Sequence, residues 1–310
     1  TAFITYSMQI VMAFLMITMF SVMLPRASVS AERIDEVLNT KVSIEDKPDT
    51  KANPVANGEV AFEHVSFAYP GAKENVLEDI SFVAKTGQTT AIIGGTGSGK
   101  TTLVNLIPRF FDVTKGKVMI DGTDIREMSQ ESLREAIGYV PQKGVLFSGT
   151  IDSNLRYGKE DATKEQVMEA ARIAQAKEII DGKKDGLDSA IAQGGSNVSG
   201  GQKQRFSIAR AIVKDPKIYI FDDSFSALDY KTDAILRREL SKKTKEAAVI
   251  IVAQRISTIL HAEQIIVLDE GKVAGIGTHQ ELFDHCAVYR EIAESQLSEA
   301  DIAKLKAQGK

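Results

Sequence analysis

Gly94-Gly95-Thr96-Gly97-Ser98-Gly99-Lys100-Thr101 fits the pattern G-x-x-x-x-G-K-[ST] at every fixed position. An apolar strand pattern, Thr89 to Ile93, precedes this stretch, and a helical pattern, Lys100 to Phe111, follows it. In this context the backbone N–H groups of the glycine-rich turn can surround phosphates, and the lysine can reach the outermost ones. The stretch therefore predicts a phosphate-binding loop between a buried strand and a helix.

A second glycine-rich stretch, Val198-Ser199-Gly200-Gly201-Gln202, opens another helical pattern farther along the chain. The start of such a helix offers N–H groups and the positive end of the helix dipole to an anion. One chain needs only one such cradle to bind a nucleotide. The presence of both predicts two chains that close face to face, each completing the site of the other.

Four further stretches, read together with the two glycine-rich ones, resemble motifs of the ATP-binding cassette (ABC) family. They occur in the order and at the spacing of that family, from about residue 58 to about residue 292. A phosphate loop alone is shared by many nucleotide-hydrolysing enzymes, whereas the ordered set is far more specific. The four stretches are Phe67-Ala68-Tyr69-Pro70, Tyr139-Val140-Pro141-Gln142, Ile218-Tyr219-Ile220-Phe221-Asp222 and Ser226-Ala227-Leu228-Asp229.

The resemblance implies a role for each motif and two bound species, ATP and Mg²⁺. Tyr69 is expected to stack on adenine, and Gln142 to contact the metal and sense the γ-phosphate. The metal ligands are expected to be Thr101, Gln142 and Asp222. Asp229 is expected to cross the dimer interface, although it could equally be a helix N-cap. The other implied ATP-binding residues are Gly94, Gly95, Thr96, Gly97, Ser98, Gly99, Lys100, Thr101 and Thr102, with Ser199, Gly200, Gly201 and Gln202 acting on the partner's nucleotide.

Three positions depart from the pattern of the family. The residue after the magnesium aspartate is usually a glutamate that polarises the attacking water, and here it is Asp223. Gln254 holds the place of the switch histidine, and Gln193 replaces a glutamate before the signature. The four histidines, His64, His261, His279 and His285, all lie elsewhere. Lys100, Gln142, Asp223 and Gln254 are the implied catalytic residues.

The departures predict slow hydrolysis at this chain's own phosphate loop. The side chain of Asp223 is one methylene shorter than glutamate, which withdraws its carboxylate by about 1.5 Å, and about 1 Å can cost on the order of 100-fold. Gln254 can donate a hydrogen bond but carries no positive charge. An intact signature beside a weakened base resembles the degenerate-site half of a heterodimeric ABC exporter. A regulatory half-transporter without significant hydrolysis of its own remains the alternative.

The N-terminal segment predicts a membrane span. Residues 1–25 carry no charge, and Met8 to Leu24 is almost wholly apolar, which suffices for a hydrocarbon core of about 30 Å. A secretory signal is the rival interpretation, but it would need a positive n-region and a small-residue cleavage site, and this segment has neither. Arg26 and Arg33 place the following residues in the cytoplasm. We expect the tail of a longer multi-pass protein of the plasma membrane.

The same segment carries methionines at helical spacing, at positions 8, 12, 16, 19 and 23. They could line a pathway for hydrophobic substrates, or they could serve helix packing or lipid contact. Helix packing or lipid contact is the favoured interpretation, and a substrate pathway is the alternative.

The predicted fold class is α/β, a P-loop ABC nucleotide-binding domain preceded by one transmembrane helix. Its parts are a RecA-like parallel sheet, an antiparallel β subdomain and a helical signature subdomain at about residues 143–205. The predicted boundaries are 1–43 for the membrane helix and its extension, 44–58 for a linker, 59–292 for the nucleotide-binding domain and 293–310 for a tail helix. Residues 289–310 suggest a charged, solvated helix, Lys164 to Ile180 an amphipathic one, and Leu146 to Leu155 a segment that receives the coupling helices of a transmembrane domain.

Composition excludes some functional classes. A net charge of −4 argues against a nucleic-acid partner, and 43% hydrophobic residues support a substantial core. The single cysteine, Cys286, excludes an internal disulfide framework. A soluble ABC ATPase of DNA repair or chromosome organisation is disfavoured by this charge, by the apolar N-terminus and by the lack of a long coiled-coil insertion.

Overall fold

The computed structural model of the chain describes residues 2–48, 50 and 54–297. The chain divides into two units, one up to Glu45 and one from Asp46 onward. The first unit contains the helix Ala2–Leu38, which is long and apolar enough to cross a membrane. The hydroxyl groups of Ser7, Thr18 and Ser21 each donate to the carbonyl four residues earlier. These polar groups are therefore satisfied within the helix, as a lipid environment requires.

The second unit combines two larger sheets with a group of helices. Its strands are β1 Val60–Phe67, β2 Leu77–Ala84, β3 Thr89–Gly94, β4 Lys115–Ile120, β5 Thr123–Asp124, β6 Ile137–Val140, β7 Gly149–Thr150, β8 Ala190–Ile191, β9 Ile218–Asp222, β10 Ala248–Val252, β11 Gln264–Asp269 and β12 Lys272–Gly277. With the first-unit helix as α1, its α-helices are α2 Lys100–Leu106, α3 Gln130–Glu135, α4 Ile151–Arg156, α5 Lys164–Ile173, α6 Lys177–Asp181, α7 Gly200–Lys214, α8 Tyr230–Lys243, α9 Ile256–Ile259, α10 His279–His285 and α11 Ala287–Gln296. Short 3₁₀ turns occur at Ile125–Glu127, Gly186–Asp188 and Gln193–Gly195.

The two larger sheets have different topologies. The four-stranded sheet has the order β2-β1-β4-β5 and is antiparallel. The six-stranded sheet has the order β12-β11-β3-β10-β9-β6, and it is parallel except for β12, which is antiparallel to β11. All residues of β9 and β10 are buried. Such continuous apolar strands are typical of a parallel sheet that is covered on both faces.

Alternating residues of the parallel strands feed two hydrophobic cores. In β10, Val249 and Ile251 belong to the core shared with the helical segments, and Ile250 and Val252 to the core shared with the antiparallel sheet. This follows from the two-residue period of a strand. Because β3, β10 and β9 are adjacent and parallel, their carboxyl ends meet at one edge, where α/β sheets bind ligands.

One predicted helix ends earlier than its sequence pattern suggests, and another is divided into two. The helix predicted over Lys100 to Phe111 ends at Leu106, because Pro108 follows and Arg109 has a φ of 54°. The helix predicted over Lys164 to Ile180 is divided into α5 and α6. The break lies at Gln175, whose φ of 57° is incompatible with a continuous helix.

The expectation of a solvated helix over residues 289–310 was wrong for its described part. Helix α11 ends at Gln296, and Tyr289 and Ala293 within it are fully buried. Residues 298–310, most of the predicted tail helix, lie outside the described residues. The apolar side of α11 was hidden in the sequence by the charged residues between its buried positions.

Candidate nucleotide-binding site

The phosphate loop lies between β3 and α2, and its glycines are needed for different reasons. Gly97 and Gly99 have φ values of 82° and 95°, which side chains rarely permit. A Cβ on Gly94 would lie 2.1 Å from the carbonyl oxygen of Leu268. A Cβ on Gly95 would meet nothing within 4 Å, so this part of the backbone faces open space. The loop can therefore approach a ligand closely through its backbone.

A cleft of about 490 Å³ borders this loop, within the usual size range of small-molecule sites. It brings together the phosphate loop, two glutamines and the end of α11. The lining residues are Val76, Gly94, Gly95, Thr96, Gly97, Gly99, Lys100, Thr101, Thr102, Gln142, Gln254, Ile292, Ser295 and Gln296. Sequence reasoning missed Val76 and the three residues of α11, because nothing in their local patterns marks them as neighbours of the loop.

Lys100 provides the positive charge of the cleft. Its Nζ donates to the carbonyl oxygens of Gly94 at 2.9 Å and Gly95 at 2.6 Å. Burial lowers the pKa of Lys100, and the charges of Asp223 and Asp222 partly oppose this shift. The ammonium group is thus held beside the loop, where it can attract the oxygens of a phosphate.

A hydroxyl and a carboxylate meet at the carboxyl end of β9. Thr101 Oγ1 donates to Asp222 Oδ1 at 3.1 Å, and Asp222 is 2% exposed. Burial raises the pKa of Asp222, while the hydrogen bond from Thr101 acts in the opposite direction. Among the described residues, no three His, Cys, Asp or Glu side chains are grouped to hold a metal. Hydroxyl and carboxylate oxygens suit Mg²⁺, which usually takes one or two carboxylates together with substrate phosphates.

Asp223 is held by the amides of two residues that line the cleft. Its Oδ2 accepts hydrogen bonds from Gln142 Nε2 at 3.1 Å and from Gln254 Nε2 at 2.7 Å. Its backbone has a φ of 47°, and its side chain is among the buried ones, with 8% exposure. Both glutamines line the cleft, and Gln254 also lines a small neighbouring cavity together with Asp223 and Phe225. The two amides therefore occupy one oxygen of the Asp223 carboxylate.

The second glycine-rich stretch forms the start of α7 and does not line the cleft. Ser199 Oγ accepts from the N–H of Gln202, and Gln202 Oε1 accepts from the N–H of Ser199. Ser199 and Gly200 are exposed, and a Cβ on Gly200 would meet nothing within 4 Å. The helix start is thus well formed and open, but it lies apart from this chain's own phosphate loop.

Two other predicted residues occupy simple local roles in the structure. Asp229 is the N-cap of α8, and its Oδ1 accepts from the N–H of Thr232 at 3.0 Å. This hydrogen bond to the backbone of Thr232 lowers the pKa of Asp229. Tyr69 contacts Phe111 edge to face, and its hydroxyl lies 3.0 Å from Thr102 Oγ1. Tyr69 is therefore beside a residue of the cleft rather than part of its lining.

Comparisons with known proteins agree with this geometry. Residues 77–226 match the ABC transporter family. The chain is 49% identical over 306 residues to an uncharacterized ABC transporter ATP-binding protein of Mycobacterium tuberculosis, covering 97% of this chain and 52% of the relative. It is 39% identical over 255 residues to the ATP-dependent lipid A-core flippase of Chromobacterium violaceum, covering 82% of this chain and 44% of the flippase.

A solved structure is also similar. The structure of a bacterial Atm1-family ABC exporter with ATP bound matches with a TM-score of 0.83 at 34% identity, covering 89% of this chain and 48% of that one. The chain therefore spans about half the length of the curated relatives it matches. From the ordered motifs, the fold and these similarities, the chain contains an ABC transporter nucleotide-binding domain and is homologous to ABC exporters.

Proposed function

We propose that this chain binds Mg·ATP at its own phosphate loop and hydrolyses it slowly, within an exporter that moves a hydrophobic substrate. The observation that carries the proposal is that one oxygen of the short Asp223 carboxylate already accepts hydrogen bonds from two glutamine amides. Phosphoryl transfer to water needs neutralised charge, a placed metal and an oriented water molecule. The chain supplies groups for the first two, and its group for the third, Asp223, is one methylene shorter than glutamate and already hydrogen-bonded to two amides.

Lys100 and the backbone of the phosphate loop would hold the phosphates. Thr101 and Asp222, with the amide oxygen of Gln142, would hold Mg²⁺, which neutralises phosphate charge when bound. Tyr69 would stack on adenine after a small rearrangement at the edge of the cleft, since its hydroxyl already lies beside Thr102. The phosphate and metal assignments rest on the shared lining of one cleft by Lys100, Thr101 and Gln142 and on the hydrogen bond from Thr101 to Asp222.

The exposed start of α7 supports a second chain as partner. Ser199, Gly200, Gly201 and Gln202 present an open helix N-terminus that suits an anion, and this chain's own nucleotide cleft lies elsewhere. We propose that these residues cap a nucleotide on the partner's phosphate loop, with Asp229 beside them at the interface. A partner with glutamate and histidine at the positions of Asp223 and Gln254 would make the assembly a heterodimer with one active site.

An exposed aromatic surface supports docking of a transmembrane domain. Phe147 and Tyr157 are 46% and 69% exposed, and their ring centroids lie 4.8 Å apart. The guanidinium of Arg210 lies 5.3 Å from the centroid of the Phe147 ring. The side chain of Asn154 accepts a hydrogen bond from the N–H of Phe147 and donates one to its carbonyl oxygen. Rigid exposed aromatics and arginine are enriched at interfaces, so this surface would receive coupling helices.

The membrane assignment rests on α1. Its apolar length suits a span, and the nucleotide-binding domain would then lie in the cytoplasm beneath the plasma membrane. The similarity to a lipid A-core flippase favours a hydrophobic substrate, with which the methionines of α1 are compatible. A regulatory half-transporter without hydrolysis of its own is the second candidate, and the same burial of Asp223 favours it.

Binding and turnover by the whole chain in lipid nanodiscs test the proposal. We expect saturable, magnesium-dependent ATP binding that Lys100→Ala abolishes. Phosphate release should stay below about 0.1 s⁻¹, since a typical rate of about 10 s⁻¹ is reduced roughly 100-fold by a misplaced base. Absence of binding would refute the nucleotide site, and release near 10 s⁻¹ would refute slow turnover. Release equal to that of Lys100→Ala would favour the regulatory candidate.

A further inference from the structure

The end of α11 forms part of the nucleotide cleft. Ile292, Ser295 and Gln296 line the cleft together with the phosphate loop. Gln296 Nε2 donates to the carbonyl oxygen of Gln254 at 2.8 Å, and Gln296 Oε1 accepts from the N–H of Ile256 at 2.9 Å. One amide side chain thus bonds the backbone on both sides of Arg255, directly after β10.

The helix that carries Gln296 is itself anchored in the core. Tyr289 is fully buried, and its hydroxyl lies 2.6 Å from Nδ1 of His279 in α10. Arg290 Nε donates to the carbonyl oxygen of Phe283 at 2.8 Å, and Ala293 is also fully buried. Gln296 therefore extends from a fixed element and can hold the segment after β10 in one conformation.

That segment carries Gln254, whose side chain faces the cleft. Gln254 Nε2 donates one hydrogen bond to Asp223 Oδ2 at 2.7 Å. An amide NH₂ group has two hydrogens, and because Gln254 lines the cleft, its second hydrogen is available to a phosphate oxygen there. Asp223 fixes the side chain of Gln254, and Gln296 fixes its backbone. Such double support is what keeps a short polar side chain aligned with a ligand.

We propose that Gln296 is a positioning residue that holds Gln254 toward the third phosphate of a bound nucleotide. The C-terminal helix thereby sets how strongly the site prefers a triphosphate over a diphosphate. This rests on the proposed nucleotide binding at the same cleft. The first two phosphates are held by the loop and Lys100, which Gln296 does not bond, so their binding should not depend on the hydrogen bonds of Gln296.

The test measures the affinities of the whole chain, in lipid nanodiscs with magnesium, for AMP-PNP and for ADP. Gln296→Leu removes both hydrogen bonds while keeping a side chain of similar size. We expect it to weaken AMP-PNP binding about three- to tenfold, the effect of loosening one hydrogen bond to a charged group. ADP affinity should stay within about twofold, which distinguishes the loss of this positioning from the general destabilisation that two lost hydrogen bonds also cause.

Two further variants show whether the effect passes through Gln254. Gln254→Ala should lose the same preference, and adding Gln296→Leu to it should change nothing more, because coupled residues are not additive. Gln296→Glu keeps an acceptor for Ile256 but sets a carboxylate against the carbonyl of Gln254, and should behave like Gln296→Leu. Glu291→Gln is the matched control, because Glu291 is an exposed residue of the same helix outside the cleft lining. It should leave the ratio of AMP-PNP affinity to ADP affinity unchanged.

Three results would overturn the inference. The first is an unchanged ratio of the two affinities in Gln296→Leu and Gln296→Glu. The second is an undiminished effect of Gln296→Leu in the Gln254→Ala background, and the third is an equal loss for ADP. Binding of neither nucleotide by the parent chain would instead refute the proposed function, and this inference with it.

Discussion

Replacing Asp223 by glutamate and Gln254 by histidine together should raise the rate of ATP hydrolysis by this chain. Asp223 Oδ2 accepts hydrogen bonds from the amides of Gln142 at 3.1 Å and Gln254 at 2.7 Å. Glutamate adds one methylene, which extends the carboxylate by about 1.5 Å, the length of a carbon–carbon bond. Histidine removes one of the two amides and supplies a group that can carry a proton.

The expected gain follows from these distances. A misplacement of about 1 Å costs on the order of 100-fold, and a positioned base contributes about 10² to 10⁴. We expect about a tenfold gain for Asp223→Glu alone, because Gln254 still bonds the carboxylate, and about a hundredfold gain for the double variant. The assay is phosphate release at saturating Mg·ATP. It is run over a series of protein concentrations, because the proposed site is completed by the signature residues of a second chain.

Controls separate the chemistry from folding. Asp223→Asn should give no gain, and Lys100→Ala in the double variant should abolish it. If the double variant binds ATP and pairs, as judged by cross-linking, yet hydrolyses no faster than the parent, our account of these two positions is wrong.

Three other predictions concern the phosphate loop and the metal. Gly94→Ala should lower the free energy of unfolding by about 1–3 kcal/mol in urea titrations, because its Cβ would lie 2.1 Å from a carbonyl oxygen. Gly95→Ala is the control: its Cβ would meet nothing within 4 Å, and its free energy of unfolding should stay within about 0.5 kcal/mol of the parent value. Equal effects of the two variants would contradict the loop geometry. Because burial lowers the pKa of Lys100 and the protonated form holds phosphate, ATP affinity should begin to fall at a lower pH than an ordinary lysine would give, and a flat titration through that range would argue against this role. Burial raises the pKa of Asp222, so the folded state binds that proton more tightly than the unfolded chain, and ionisation above the folded-state pKa costs stability. Asp222→Asn should therefore raise the thermal midpoint without ligand at neutral pH. Saturation with ATP at one hundred times its dissociation constant stabilises the folded chain by about 2.7 kcal/mol, and Asp222→Asn should lose the part of this stabilisation that depends on magnesium. Retention of that part would refute Asp222 as a metal ligand.

Local patterns predicted the parts of the site that depend on local geometry. The glycines and Lys100 of the phosphate loop were recognisable because strand, turn and helix are contiguous. The meeting of Thr101 with Asp222, 121 residues apart, was implied by the resemblance to the ABC family, and it agrees with the rule that adjacent parallel strands end at one edge.

Contacts made by exposed-looking polar residues could not be predicted. Gln296 lies 42 residues from Gln254, and a glutamine at the end of a charged helix carries no signal of its partner. The orientation of Asp223 was equally hidden, because the sequence shows its shorter side chain but not the two amides that hold it. The sequence pattern also predicted that α2 continues to Phe111. In the structure α2 ends at Leu106, close to Pro108 and to Arg109 with its positive φ.

The most direct test is the distance from Ser199 Oγ to the nearest phosphate oxygen in a cryo-electron microscopy structure of the ATP-closed, full-length assembly. If nucleotide is bound between two chains, this distance should be about 2.5–3.2 Å to a phosphate held by the other chain's loop. A closed assembly with ATP on its loops and Ser199 beyond hydrogen-bond reach of every phosphate would contradict the account.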